Sequence, residues 1–194
     1  MIKNHDRSGW FGASDTSTIM GNWNTRTFDR WWLEKLGLKR NQINTLQMQT
    51  GSAYEHRILD FCGIVKRDRQ IRKRRYRLRV NLDGESDIIH EVKTHGAEQF
   101  KVSKAYWQQC QVERYAGKKP VEIISYRLLP EDYQNWLRPI DPMRISRHPI
   151  DYDKSWVENE YLPRLKYLSK CLRRRKWPSM EEFNENRKRK AGGQ

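Results

Sequence analysis

Between Arg75 and Asp83 apolar and polar residues alternate: Tyr76, Leu78, Val80 and Leu82 fall on one side, and Arg75, Arg77, Arg79, Asn81 and Asp83 on the other. A period of two is the mark of a half-buried β-strand, because successive side chains leave opposite faces of the pleated backbone. After Gly84, Glu85 and Ser86 a second extended run, Asp87 to Thr94, puts Ile88 and Val92 on one face and Glu91 and Lys93 on the other. The spacing predicts an antiparallel hairpin. Whatever else the chain forms has to pack against its apolar face and leave the polar one open.

Helical spacing flanks this hairpin. Gly12-Ala13-Ser14-Asp15 reads as a helix start with Ser14 as N-cap and Gly21 as stop. Phe28, Trp31, Trp32 and Leu36 form an apolar stripe that begins near Thr25 or Thr27 and ends at Gly37. A third helix is expected over Thr45 to Cys62, with Tyr54, Ile58 and Phe61 inward, and a fourth between about Ala97 and Ala116, closed by Gly117. Val121 to Leu129 is rich in β-formers and predicts another strand. Pro139, Pro142 and Pro149 argue against regular structure over residues 138–150, so that segment is expected to be a loop excursion. A helical region over 151–176 should be kinked or split by Pro163, and a basic tail over 177–194 is expected to fray.

At 194 residues the chain is expected to form a single domain with its core over about 7–130. Lys and Arg number 39 against 24 Asp and Glu, a formal charge of +15, which points to a polyanionic partner and first of all to nucleic acid. Eight Trp, nine Tyr and five Phe are too many for a disordered basic tail. No stretch is apolar enough to span a bilayer and no signal peptide opens the chain, so no membrane partner and a cytoplasmic location are expected. Cys62, Cys110 and Cys171 show no metal-ligand spacing and read as reduced buried thiols, which disfavours a disulfide framework, a zinc site or a four-cysteine iron–sulfur cluster. Nine cations crowd Lys66 to Arg79, and eight more fall in Arg173–Lys176 and Arg187–Lys190. Arg75, Arg77 and Arg79 share the strand face that ends at Asp83, an arrangement that would lead phosphates toward a carboxylate and marks the three as DNA-binding residues. Trp10, Trp23, Trp31, Trp32 and Trp107 read chiefly as core, with Trp10 or Trp23 as possible wedges against a terminal base pair.

An acid at the end of one strand and Glu-x-Lys on the next have a definite chemical use. Asp83 and Glu91 offer hard oxygen ligands to a divalent cation such as Mg2+, and Lys93 projects from the same face. A metal there would activate water and polarise a phosphodiester, with Lys93 orienting the water or offsetting developing charge. Three readings stay open at this point: an exonuclease, a structure-selective or sequence-specific endonuclease, and a non-catalytic basic nucleic-acid-binding module whose carboxylates merely balance its arginines.

Five segments in order, Arg7 through Leu36, Gly51 through Ile58, Leu82-Asp83-Gly84, Glu91-Val92-Lys93-Thr94 and Tyr106 through Gln111, resemble the motifs of YqaJ-type viral recombination exonucleases. These are relatives of phage lambda exonuclease within the PD-(D/E)XK superfamily. The resemblance implies an α/β, restriction-endonuclease-like core with a central mixed sheet flanked by helices. It implies Mg2+-dependent 5′-to-3′ digestion of linear double-stranded DNA, with Mn2+ able to substitute, in the end resection of phage-type recombination inside a bacterial host. By motif match Asp83, Glu91, the Val92 carbonyl and Glu55 would hold metal, Lys93 would be the catalytic lysine, Glu55 would support the metal or its water, and Gln109 would sit near the attacking water with Gln111 beside it on DNA. Arg7 and Ser14 would hold the 5′-phosphate, in keeping with an anion-binding helix N-terminus led by Ser14. The implied partners are duplex DNA ends and a single-strand annealing protein, and the resemblance leaves open whether the chain forms a homo-oligomer.

Overall fold

The computed structural model describes residues 7–40 and 45–191. Its helices start where short polar side chains satisfy the first free backbone donors. α1 (Thr16–Met20) continues a 3-10 turn at Ala13–Asp15, and α2 (Arg26–Lys35) and α3 (Leu46–Phe61) are capped by Thr25 and Thr45. The cap oxygens accept from Phe28 N at 3.1 Å and Met48 N at 3.2 Å. Strands β1 (Lys66–Lys73), β2 (Leu78–Glu85) and β3 (Ile89–His95) follow. Helix α4 (Lys104–Gly117), capped by Ser103, crosses over to β4 (Val121–Arg127), and β5 (Ile145–Ile150) returns along the edge. The chain then runs through α5 (Lys154–Trp156), a π-helical turn at Val157–Tyr161, α6 (Leu162–Arg173) and α7 (Met180–Ala191).

The five strands lie in the order β1-β2-β3-β4-β5, antiparallel except for the central β3–β4 pair. Alternation along the strands sends side chains to two apolar layers. Leu78, Val80, Leu82, Ile89 and Ile123 meet α2, α4 and α6 on one face, while Val92, Ile124 and Tyr126 meet Tyr54, Ile58 and Leu59 of α3 on the other. The first layer is largely aromatic: Phe28 stacks on Trp32 and on Trp23, and Trp23 lies against Tyr167 with ring planes 7° apart. Trp23 is therefore core and unavailable as a wedge, whereas Trp10 is half-buried under the Arg72 guanidinium.

Several expectations need correction. Lys66–Lys73, read as a cationic run, is an edge strand held by its ladder to β2. Arg74–Tyr76 is a 3-10 turn and Arg77 is left-handed at φ 51°, so the strand begins only at Leu78 and the alternation of Arg75, Arg77 and Arg79 on one strand face fails for the first two. The cause is Phe11, whose N–H donates to Arg77 O at 2.7 Å and whose carbonyl accepts from Arg79 N at 2.8 Å, bending the chain into a bridge with Leu78. Residues 138–150 contain β5, where Pro149 sits opposite Glu122 on an outer strand that can spare a donor. Pro163 falls in the first turn of α6, and the widened π turn before it absorbs the break. Phe61 is exposed, and the expected tail is helix α7, anchored by buried Phe183. Residues 192–194 lie outside the described residues. Cys110 and Cys171 are buried and Cys62 half-buried, all as free thiols. No helix among the described residues is long and apolar enough to cross a membrane.

Asp15 ties the N-terminal segment to this frame. Its carboxylate accepts from Gly12 N at 2.6 Å, Trp31 Nε1 at 2.8 Å and Lys35 Nζ at 2.5 Å, with both charged groups buried. Burial alone would raise the Asp15 carboxyl, but the Lys35 ammonium and the donated hydrogen bonds outweigh it and hold it below the usual value. A lowered folded-state pKa contributes stability above the unfolded value of about 3.9, and that stability is lost as pH falls through the folded value. Asp15→Asn, which strands a buried ammonium, should lower the unfolding free energy by about 3 kcal/mol or more at pH 7 in urea titrations, with the gap to the native protein narrowing in acid. Equal stability at pH 7 would show that the pair does not anchor the segment.

Candidate active site

β2 and β3 pair only at Gly84–His90 and Glu85–Ile89 and then part. Gly84 fits this turn because a Cβ there would come within 2.7 Å of Leu59 Cδ2 and 3.0 Å of Ile64 Cγ2. In the gap Asp83 Oδ2 accepts from Val92 N at 3.0 Å, so a side chain takes the donor that a continued ladder would have paired. Glu91 and Lys93 leave β3 on one face, and Lys93 Nζ donates to Glu91 Oε1 at 2.5 Å. Gln109, from the α4 crossover, donates to Glu91 Oε1 at 2.6 Å and to Glu113 Oε1 at 2.8 Å, and accepts from Lys93 at 3.3 Å. Glu55 enters from α3. These side chains line one cleft of about 540 Å³, together with Arg7, Ser14, Arg79, Asn81 and Trp10. A second hollow of about 440 Å³ shares Ser52, Glu55, Val92 and Lys93 with it and extends the groove toward Thr94, Gly96 and Tyr133.

The electrostatics are those of crowded carboxylates. Burial, then Glu91 and Glu55, push the Asp83 carboxyl well above its usual range, more than the Val92 hydrogen bond restores. Burial and Glu91 raise Glu55 likewise. Lys93 is held above the ordinary ammonium value, because the attraction of Glu91 outweighs the burial that would lower it. Glu113, fully buried and raised by burial and by Glu91, leaves Oε2 without a hydrogen-bond partner.

Most residues singled out from the sequence meet here. Asp83, Glu91, Val92, Lys93, Glu55 and Gln109 share the cleft, and Arg7 Nη1 donates to Ser14 Oγ at 3.2 Å at its edge. Ser14 lies inside the 3-10 turn, however, and Gly12 is the N-cap with its N–H already held by Asp15, so the expected Ser-led helix start is absent. Arg79 is buried and lines the cleft beside Asn81 and Asp83, whereas Arg75 and Arg77 lie outside it. Gln111 is corrected outright: it is buried, accepting from Asp153 N and donating to Asp151 O, both at 2.7 Å, and cannot reach DNA.

The sequence reading missed His56, Asp68 and Glu113. Glu55, His56 and Asp68 bring ligand atoms within 4.8 Å of one another, a tighter group than any that the Asp83–Glu91 pair forms among the described residues. Asp68, at φ 55° in β1, leaves the β1–β2 ladder where it faces Asp83 and carries its carboxylate within 3.3 Å of His56 Nε2. Glu113 had a legible signal, since it stands four residues after Gln109 on the same helix face. The donor set fits a hard divalent cation: oxygen ligands of one charge sign, mutually raised, in a cleft open to solvent.

The fold matches that of an alkaline exonuclease (LHK-Exo) from Laribacter hongkongensis at 18% sequence identity, over 96% of this chain and 95% of that chain, with a TM-score of 0.65. A second structure, SSO0001, is 12% identical over 89% of this chain and 77% of that one, with a TM-score of 0.46. No family model and no curated protein matches the sequence. The α/β core with a mixed sheet flanked by helices, expected from the motifs as a lambda-exonuclease-like fold, is the fold the chain has.

A carboxyl raised above its unfolded value costs stability once pH exceeds that value. Asp83→Asn keeps an acceptor for Val92 N–H and removes one of the crowded charges. In EDTA at pH 7.5 it should melt roughly 2–6 °C above the native protein, and an unchanged or lower Tm would deny the repulsion.

Proposed function

We propose that this chain is a divalent-metal-dependent nuclease that degrades linear double-stranded DNA from its ends. The single observation that carries the reading is the convergence of Asp83, Glu91 and Lys93 at the parting of β2 and β3, in one cleft with Glu55 and Gln109. The shared fold with an alkaline exonuclease and the formal charge of +15 support it.

Asp83, Glu91 and Glu55, with the Val92 carbonyl, are the groups that would hold the metal, and His56 and Asp68 stand beside Glu55 as further donors. The metal supplies Lewis-acid polarisation of the phosphodiester and a water of lowered pKa. The protein's own groups do the positioning. Lys93 keeps its proton and offers a fixed positive charge where phosphate oxygens gain negative charge. Gln109 braces Glu91 from α4 and fixes the angle at which its carboxylate faces the cleft. Its carboxamide, unlike a second acid, can donate to Glu91 and accept from Lys93 at once.

At the other side of the cleft, Arg7 and Ser14 present a guanidinium and a hydroxyl beside the peptide units of residues 12–14. A terminal phosphate suits this pair, because Arg binds phosphate oxygens in a planar fork. Digestion in the 5′-to-3′ direction, a preference for Mg2+, a place in recombination and cooperation with an annealing protein belong to the same reading.

Linear duplex carrying a 5′-phosphate should disappear with Mg2+ and persist with EDTA, while covalently closed circles stay whole. Cutting of closed circles would make the chain an endonuclease, and intact linear DNA at every protein concentration would remove the nuclease reading. Lys93→Ala should bind DNA as the native chain does in EDTA yet lose about a hundredfold or more in kcat. Native turnover in that variant would take Lys93 out of the chemistry. Arg7→Ala should slow digestion of 5′-phosphorylated ends by roughly tenfold and leave 5′-hydroxyl ends unaffected; an equal loss on both would deny phosphate recognition.

A further inference from the structure

Outside the cleft the cations of α6 form an organised surface. Lys166, Lys170, Arg173 and Arg174 stand at positions i, i+4, i+7 and i+8, which places them along one exposed face of the helix, while Leu165, Leu168 and Leu172 pack inward. Facing them across a cavity of about 780 Å³ are Arg75 from the turn before β2 and Arg187 from α7. Acid balances part of this charge: Lys176 pairs with Glu182 at 2.6 Å, and Arg187 with Glu160 at 2.7 Å. For Lys166, Lys170, Arg173 and Arg174 no carboxylate lies within ion-pair distance among the described residues. Lys166 rests over the Tyr76 ring at 5.9 Å, and Arg173 donates to the Arg75 carbonyl.

Such a stripe works against its own helix, because like charges four residues apart repel. Nor does it serve the apolar packing, which Leu165, Leu168 and Phe183 carry from the other side. It suits an extended polyanion. From Lys166 to Arg174 the helix rises about 12 Å, at about 1.5 Å per residue. That length covers roughly three phosphates of one DNA strand at about 3.4 Å of axis each. The turn at Arg74–Tyr76 joins this surface to the cleft, since Arg77 and Leu78 follow directly and hold Phe11, whose segment carries Ser14 into the cleft.

We propose that the cavity between α6, α7 and the Arg74–Tyr76 turn is a second nucleic-acid site, which binds the phosphodiester backbone of DNA away from the point of cleavage. It grips backbone and reads no base, as ammonium and guanidinium groups set along one line do. The proposal rests on the nuclease reading only for the identity of the polymer, and its test does not use cleavage.

Binding of a fluorescent 30-base-pair duplex is measured by anisotropy in EDTA over a salt series. Two double variants are compared: Lys170→Glu/Arg174→Glu in the stripe, and Arg30→Glu/Lys154→Glu as an equal change of net charge elsewhere. All four side chains are solvent-exposed, so both proteins should fold, which matching melting curves would verify. The stripe variant should bind at least about tenfold more weakly at 150 mM salt and lose about two units of slope in log K against log salt, while the control stays near the native values. Equal losses in the two variants, or no loss in the stripe variant, would overturn the site. If the native protein fails to cleave with Mg2+ but the stripe variant still loses affinity, the nuclease reading falls and the second site stands.

Discussion

Asp83 reaches across the parting of β2 and β3 to take the Val92 N–H, and the geometry of the cleft follows from that bond. A strand pair that separates exposes backbone donors, and a buried donor without a partner is costly. Supplying the acceptor from a side chain lets the strands open without that cost, and the opened wedge is where Glu91 and Lys93 face solvent. The same bond fixes the Asp83 carboxylate beside Glu91, so the backbone repair and the gathering of negative charge are one event. Gly84 completes the arrangement, since Leu59 and Ile64 leave no room there for a side chain.

How far the sequence disclosed this depends on the kind of signal. The hairpin was legible because Leu78, Val80 and Leu82 alternate with polar residues, and Asp83, Glu91 and Lys93 were placed by counting along two strands. β1 was illegible: its residues, Lys66 to Lys73, hold one aliphatic side chain, Ile71, and an edge strand wet on both faces has no period to read. β5 was hidden by Pro149, which a strand tolerates only at an edge that the sequence does not announce. Gln111 was misread because two residues turn an α-helix by about 200°. Gln109 faces Glu91 whereas Gln111 is carried round into the packing against residues 151–153. His56 and Asp68 come together only through the register of α3 against β1, a tertiary fact with no local trace.

The N-terminal segment illustrates how burial elsewhere holds the site. Residues 7–14 belong to no long element, and they stay in place because Phe11 packs among Trp31 and Trp32 while Asp15 locks to Lys35 and Trp31. Ser14 is therefore held between a buried aromatic and a buried ion pair. Its position relative to Asp83 is set by the stiffness of α2 and of the Phe11–β2 bridge, so the aromatic layer governs the cleft without lining most of it.

Electrostatics divides the molecule's work. The cleft is lined by four carboxylates, Glu55, Asp68, Asp83 and Glu91, against three permanent cations, Arg7, Arg79 and Lys93. Unaided, such a site does not draw in a polyanion, and a phosphodiester approaching it meets charge of its own sign until a cation is bound. The surplus positive charge of the chain lies elsewhere, on β1, on the exposed face of α6 and along α7. Attraction of nucleic acid and the chemistry proposed for the cleft thus fall to different surfaces. The field of the distant cations brings the backbone close, and the short-range geometry set by Asp83 and Val92 decides what happens once it arrives.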